Sequence, residues 1–160
     1  MSLKEVIERV RSVRGIKVKA GILKGAKPYG NGLSVSQVAI WNEYGTSRSP
    51  SRPFMRTAVV NDADKWVAEF SGGLKAAIRG ETSVQQATEW VGGMMQADIQ
   101  KAIDSNIPPP NAKGTMKRKS SRVVDKKGKP ISGQSGTKQT LIDTGHLLDS
   151  VSYEVINESS

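Results

Sequence analysis

Asp143, Thr144 and Gly145, set behind the apolar pair Leu141 and Ile142, come closest of any residues in this chain to a catalytic motif. An Asp-Thr-Gly tripeptide carries the carboxylate of aspartic proteases, where two copies of the motif share one proton across a dyad. This chain holds a single copy, so a structural reading is preferred. Asp143 or Thr144 caps the helical turn that follows, and Gly145 permits a tight backbone approach. His146 is the only histidine and there is no cysteine, which removes disulfides, thiolate metal sites and cysteine nucleophiles. A lone imidazole without clustered carboxylates builds neither a zinc site nor an oxygen cage. Gly30-Asn31-Gly32 lacks the third glycine of a dinucleotide fingerprint, and its loop has no Gly-Lys-Ser/Thr. The expectation is a chain that is not an enzyme and uses neither cofactor nor metal.

The remaining chemistry is that of contact. Between residues 113 and 138, Lys113, Lys117, Arg118, Lys119, Arg122, Lys126, Lys127, Lys129 and Lys138 face only Asp125, nine cations against one carboxylate. That segment accounts for +8 of the net charge of +9. It is rich in Gly, Ser and Lys and poor in large apolar residues, so it is expected to be a mobile basic loop over 108–139. It serves either as a solvated, solubilising loop or as a face for polyanion, and that choice stays open. No aromatic residue interleaves the cations, so any nucleic-acid contact would be blind to sequence.

A second contact element spans 46–56. Pro50 and Pro53 fix their own φ angles and push Ser49 and Arg52 toward extended backbone, which predicts a stiff projecting arm. Arg48, Arg52, Phe54, Met55 and Arg56 would be presented to a partner, arginine and aromatic residues being enriched in interface hot spots. The alternative is a loop whose Phe54 and Met55 tuck back onto the parent domain.

These residues need elements to hold them. Ser2 and Glu5 read as a capping box opening a helix over 3–14, with Leu3, Val6, Ile7, Val10 and Val13 on one face and Gly15 ending it. Ile16, Val18, Ala20 and Ile22 alternate with polar residues and glycine, predicting a strand over 16–23. Ser34 caps a short helix that Gly45 ends in left-handed conformation, with Trp41 and Tyr44 on one side and at least one of them in the core. Helical spacing then predicts two long helices, about 57–79 and 84–105. Gly72 and Gly73 interrupt the first, marking a kink; Ser83 and Gln86 open the second, and Pro108 to Pro110 end it. The pair should lie antiparallel against the sheet, with Trp66 and Trp90 in the core. Val151, Tyr153 and Val155 alternate again, predicting a last strand over about 150–156, paired antiparallel with 16–23. The fold class is α+β: a small, mostly antiparallel sheet packed on two long helices plus an N-terminal helix, in a single domain over 1–160.

With 5% aromatic and 36% hydrophobic residues the core must be lean and aliphatic, so partners would add stability. No window approaches the ~18 apolar residues of a membrane span, and the start Met1-Ser2-Leu3-Lys4-Glu5 carries no apolar signal core. A soluble protein with no membrane contact, assembled in a cytoplasm, is expected.

Trp41-Asn42-Glu43-Tyr44-Gly45-Thr46, followed by Ser51-Arg52-Pro53-Phe54-Met55-Arg56, resembles the Asn-Glu-(Phe/Tyr)-Gly-Thr and Arg-Pro-Phe-(Leu/Met)-Arg signature of small neck and tail-completion proteins of long-tailed bacteriophages and prophages. Leu141-Ile142-Asp143-Thr144-Gly145-His146-Leu147-Leu148-Asp149-Ser150-Val151 resembles a second block near the carboxyl end of those proteins. The likeness spans roughly 16–156, with Ser51 departing from a more usual Pro-Ala pair. It implies a structural virion protein at the head-tail joint, working as a homo-oligomeric ring, most often hexameric, against portal-connector and tail-tube or tail-terminator proteins. Trp41, Tyr44, Arg48, Arg52, Pro53, Phe54, Met55 and Arg56 would form the subunit or partner contact. The basic loop would face the lumen, a partner, or DNA in the channel without sequence preference. The competing class is a small basic nucleic-acid-binding module, motivated by the net charge.

Overall fold

The computed structural model describes residues 2–116, 140–141 and 145–158. Capping chemistry sets where its helices begin. Ser2 Oγ accepts from the Glu5 amide and Glu5 Oε2 accepts from the Ser2 amide, meeting two orphan donors at the start of α1 (Leu3–Ser12). Ser34 Oγ accepts from the Gln37 amide to open α2 (Val35–Tyr44). Ser83 and Gln86 repeat the reciprocal box at α4 (Val84–Asp104). The longest helix, α3 (Phe54–Arg79), starts at a proline that has no side-chain acceptor and must be capped from elsewhere.

Between these helices lies a two-stranded sheet. The alternating run Ile16–Ile22 is β1 and Val151–Asn157 is β2, antiparallel as expected, in the register Ile16↔Asn157 through Ile22↔Val151. Period-two alternation puts Ile16, Val18, Ala20, Ile22, Val151, Tyr153 and Val155 on one face, and α4 packs against both strands. Gly92 on α4 lets the two elements meet, because a Cβ there would collide with the Tyr153 ring. A four-residue helix, α5 (His146–Asp149), leads into β2, so the fold is the α+β arrangement expected.

The α3–α4 pair forms an antiparallel hairpin, seen in the descending pairings Trp66 with Asp98, Glu69 with Trp90, and Gly73 with Ala87. Here the glycines differ from expectation. The helix runs unbroken through Gly72 and Gly73, and a Cβ at Gly73 would lie 2.9 Å from that of Ala87, so this glycine serves close helix crossing. The core gathers Val35 of α2, Phe54, Ala58 and Trp66 of α3, Ile99 and Ile103 of α4, and Leu141, Leu147 and Val151.

Three further expectations are corrected. Trp90 is 67% exposed rather than in the core, since its position on α4 faces outward beside Glu69. Trp41 and Tyr44 are both exposed, because α2 buries the opposite side, Val35 and Glu43. Gly45 closes α2 with φ +78° and ψ 178°, a positive-φ extended conformation open to glycine rather than the left-handed helical one.

Residues 108–116 belong to the described chain, with a helical turn over 113–116 that carries Lys113. Lys117, Arg118, Lys119, Arg122, Lys126, Lys127 and Lys129 of the basic segment lie outside the described residues, as do Asp143 and Thr144 of the turn motif. The segment's two ends are clamped together. Thr140 Oγ1 donates to the Ile107 carbonyl at 3.0 Å and the Thr140 amide donates to Asn106 Oδ1 at 3.1 Å, so the chain leaves and returns at one point.

Candidate interaction surface

Glu43 organises the whole 41–56 region. Its carboxylate reaches from the end of α2 to the start of α3. There Oε2 accepts from the Met55 amide at 3.0 Å and Oε1 from the Arg56 amide at 3.1 Å. Those are two of the donors that the first turn of α3 cannot satisfy internally, and a negative charge there also meets the positive end of the helix dipole. The cap that Pro53 cannot supply is therefore delivered by Glu43, twelve positions before the Met55 amide it accepts from. Arg56 closes the loop from the other side: its Nε donates to Glu43 Oε1 at 2.9 Å and its Nη2 to the Glu43 carbonyl at 2.6 Å.

The chain between is folded tightly. Thr46 and Ser49 pair across a short turn, with the Thr46 amide donating to the Ser49 carbonyl at 2.8 Å. Ser51 Oγ donates to the Glu43 carbonyl and the Arg52 amide to the Asn42 carbonyl. Pro53 sits at φ −77°, ψ 74°, an inverse γ-turn in which the Phe54 amide donates to the Arg52 carbonyl at 2.9 Å. A side chain at Gly45 would bring a Cβ within 2.8 Å of the Ser51 nitrogen, so the glycine of the block is needed for this close return.

The expected projecting arm over 46–56 is thus overturned in favour of the folded-back alternative. Phe54 is 0% exposed and anchors the core, because the Glu43 cap and the γ-turn aim the first turn of α3 inward. Arg52 is buried as well. Its Nε donates to the Pro109 carbonyl at 3.0 Å and its Nη2 to the Pro110 carbonyl at 3.4 Å, fixing the exit from α4. Burial lowers its pKa from the ordinary arginine value. Pro53 and Met55 are half-buried, and the Met55 methyl fills the space over Gly21 of β1. Arg52 and Phe54 therefore cannot grip a partner from the folded chain. Trp41, Tyr44, Arg48 and Arg56 remain outward, with the Arg56 guanidinium 5.0 Å from the centre of the Tyr44 ring.

Sequence reasoning missed Glu43, Asn42 and the prolines 109 and 110 as the partners of these arginines. One signal was available for Glu43: a helix opening at Pro53-Phe54 with no Ser, Thr, Asp or Asn at its start needs a borrowed cap.

Beside this lock runs an apolar trough. One section of about 570 Å³, between α2 and α3, is lined by residues that include Ile40, Tyr44, Met55, Val59 and Val60. The next, of about 380 Å³, shares Val59 and continues between β1 and the α3–α4 hairpin past Val18, Ala63, Trp66, Val67 and Phe70. Val60 is 82% and Val67 65% exposed at its rim.

Elsewhere, the polar groups serve structure. Trp66 Nε1 donates to Asp98 Oδ2 at 2.7 Å and Lys65 Nζ reaches the same oxygen at 2.6 Å. Burial alone would raise the Asp98 pKa, but the hydrogen bonds from Lys65 and Trp66 outweigh it and hold the carboxyl below its usual value. His146 Nε2 lies 2.7 Å from the Lys27 carbonyl, which can only accept, so that nitrogen carries the proton; the ring meets Tyr29 edge-on. Gly145, at φ +79°, makes the turn into α5. Among the described residues no group of three or more His, Asp or Glu could hold a metal ion, and no helix is long and apolar enough to cross a membrane. No family model, curated protein or solved structure matches this chain.

Proposed function

We propose that this chain is a structural virion protein of the phage head-tail joint, a neck or tail-completion component that works as a ring of identical subunits. The observation that carries the reading is the pair of sequence blocks at 41–56 and 141–151, occurring in the order found in neck and tail-completion proteins. The geometry supports it in one respect. The residues of the first block are spent on an internal lock, Glu43 capping α3 and Arg52 bracing Pro109 and Pro110, which yields a rigid edge beside an exposed apolar trough. Rigid, preorganised surface of this kind suits assembly, where ordering costs would otherwise be met on binding. The exposed Trp41, Tyr44, Arg48 and Arg56 and the basic segment from Lys113 onward are the groups we assign to neighbouring virion components.

Electron microscopy of the purified protein, alone and mixed with tail tubes, tests this. The expected outcome is rings that seat on tube ends. A monomer that never joins tubes yet shifts DNA in a gel, with affinity falling steeply in salt, overturns it in favour of the nucleic-acid-binding reading that the charge of 113–138 motivates.

A further inference from the structure

Each strand of the sheet has one partner, and the register says where the unused hydrogen-bonding groups point. The Glu158 amide donates to the Gly15 carbonyl at 3.1 Å, and these two residues stand directly opposite in the continuation of the Ile16↔Asn157 register. In an antiparallel pair, opposed residues that exchange bonds recur at every second position, so Lys17, Lys19 and Gly21 turn their amides and carbonyls toward β2. Ile16, Val18 and Ala20 turn theirs the other way, and among the described residues no hydrogen bond reaches them. This outer ladder borders the apolar trough. Ile16, Lys17 and Val18 form one wall of its second section and Ala63 and Val67 of α3 another, while the Met55 methyl over Gly21 closes the far end. Layer widths explain the gap. Neighbouring strands lie about 5 Å apart and packed helices about 8–10 Å apart, so two strands cover one helix and not two. α4 packs against both strands, and α3 is left with the trough above it. The outer edge of β2 has no such floor, since no β2 residue lines the trough.

We infer that the outer edge of β1 is a strand acceptor: an extended segment of another polypeptide, alternating apolar and acidic residues, pairs with residues 16–20 and lays its apolar side chains in the trough over α3. The occupant's backbone is extended, because only a strand matches donors and acceptors that recur every second residue. Its outward residues are acidic. Lys17 and Lys19 stand on the solvent face of β1 and pair across to Glu158 at 2.6 Å and Glu154 at 3.8 Å, and an added strand presents its own residues to them from the other side. β2 shows the composition that β1 accepts, with Val151, Tyr153 and Val155 toward the helices and Glu154 outward. The chain's own basic segment, +8 between residues 113 and 138, has the wrong sign for those lysines. A second copy does not fit either, since its β1 and β2 arrive with α4 already on their apolar face, where α3 would have to be. The inference goes beyond the head-tail reading, and its test needs no tail tubes.

The probe is a fluorescein-labelled peptide with the sequence of residues 151–158, Val-Ser-Tyr-Glu-Val-Ile-Asn-Glu, added to the full chain and read by fluorescence anisotropy. Saturable binding with Kd below about 1 mM is expected. Val18→Pro removes an outward amide at a sheet edge, where proline is tolerated. Val67→Asp, on an exposed residue, puts a charge in the trough and keeps the test decisive should proline unfold the strand. Each is expected to weaken binding at least about tenfold while circular dichroism shows a native fold. Two N-methylated peptides, one blocked at odd and one at even positions, separate strand pairing from apolar adhesion. One should lose binding at least about tenfold and the other keep it, because a single edge of the peptide faces β1. Replacing both glutamates of the peptide with lysine should weaken binding about threefold or more at low salt, and equal affinity overturns the acidic occupant. A native chain that does not bind the peptide, or N-methylated peptides that behave alike, overturns the proposal. Binding that survives Val18→Pro and Val67→Asp also overturns it, the peptide then displacing β2. A native chain that light scattering finds oligomeric and that either variant makes monomeric overturns the proposed occupant, since a second copy then fills the edge.

Discussion

Glu43→Ala is the sharpest probe of the lock at 41–56. The substitution strips acceptors from the Met55 and Arg56 amides and from Arg56 Nε while leaving the rest of α2 in place. Losing a helix cap costs about 1 kcal/mol, and losing a partly buried negative charge at a helix N-terminus costs about 0.3–2 kcal/mol. The Glu43–Arg56 ion pair adds little, about 0–1 kcal/mol, because the Arg56 side chain is more than half exposed and can return to water. The sum is about 1–4 kcal/mol, which for a domain of this size lowers Tm by about 3–15 °C. Glu43→Gln keeps an acceptor but not the charge, and should lie about midway. Thermal and urea unfolding at neutral pH, followed by circular dichroism, measures both. A Glu43→Ala protein within about 0.5 kcal/mol of the native chain would refute the claim that the borrowed cap holds α3 in place.

Other perturbations follow the same geometry. Phe54→Ala should cost about 3–5 kcal/mol in urea unfolding, since a fully buried ring leaves a cavity; near-neutral stability would return this residue to the role of a surface contact. Gly45→Ala should lose about 2 kcal/mol or more in the same assay through positive φ and collision with the Ser51 backbone, and an unchanged midpoint would show that the return is loose. For pH, the lowered Asp98 pKa means its contribution is complete above the unfolded carboxyl pKa of about 3.9 and is lost as pH falls through the lower folded value. Asp98→Asn should therefore flatten the acid end of the stability–pH curve below about pH 4. Tyr44→Ser, on an exposed side chain, should move stability by no more than about 1 kcal/mol while weakening attachment to tail tubes under the proposed function.

The sequence by itself determined which elements form, because caps, glycine stops, prolines and periodicity act over a few residues, but not every limit: α3 starts at Phe54 rather than about 57, where the Glu43 cap reaches it, and α1 ends at Ser12 rather than 14. Ser2 with Glu5, Ser34, and Ser83 with Gln86 each mark a helix start that the structure keeps, and the alternation in 16–22 and 151–157 specifies two strands whose pairing follows. It could not decide what each apolar or charged group would face. Trp90 and Leu3, Ile7 and Val10 of α1 share the helical spacing of true core residues, yet they look outward; periodicity defines a face, and only the packing of other elements says whether that face is covered. The arginines and Phe54 read as a projecting tip because Pro50 and Pro53 stiffen the chain, but direction is a tertiary property. It was set by a carboxylate on the preceding helix, two carbonyls beyond the end of α4, and the burial of one ring, partners twelve to fifty-eight residues away in sequence.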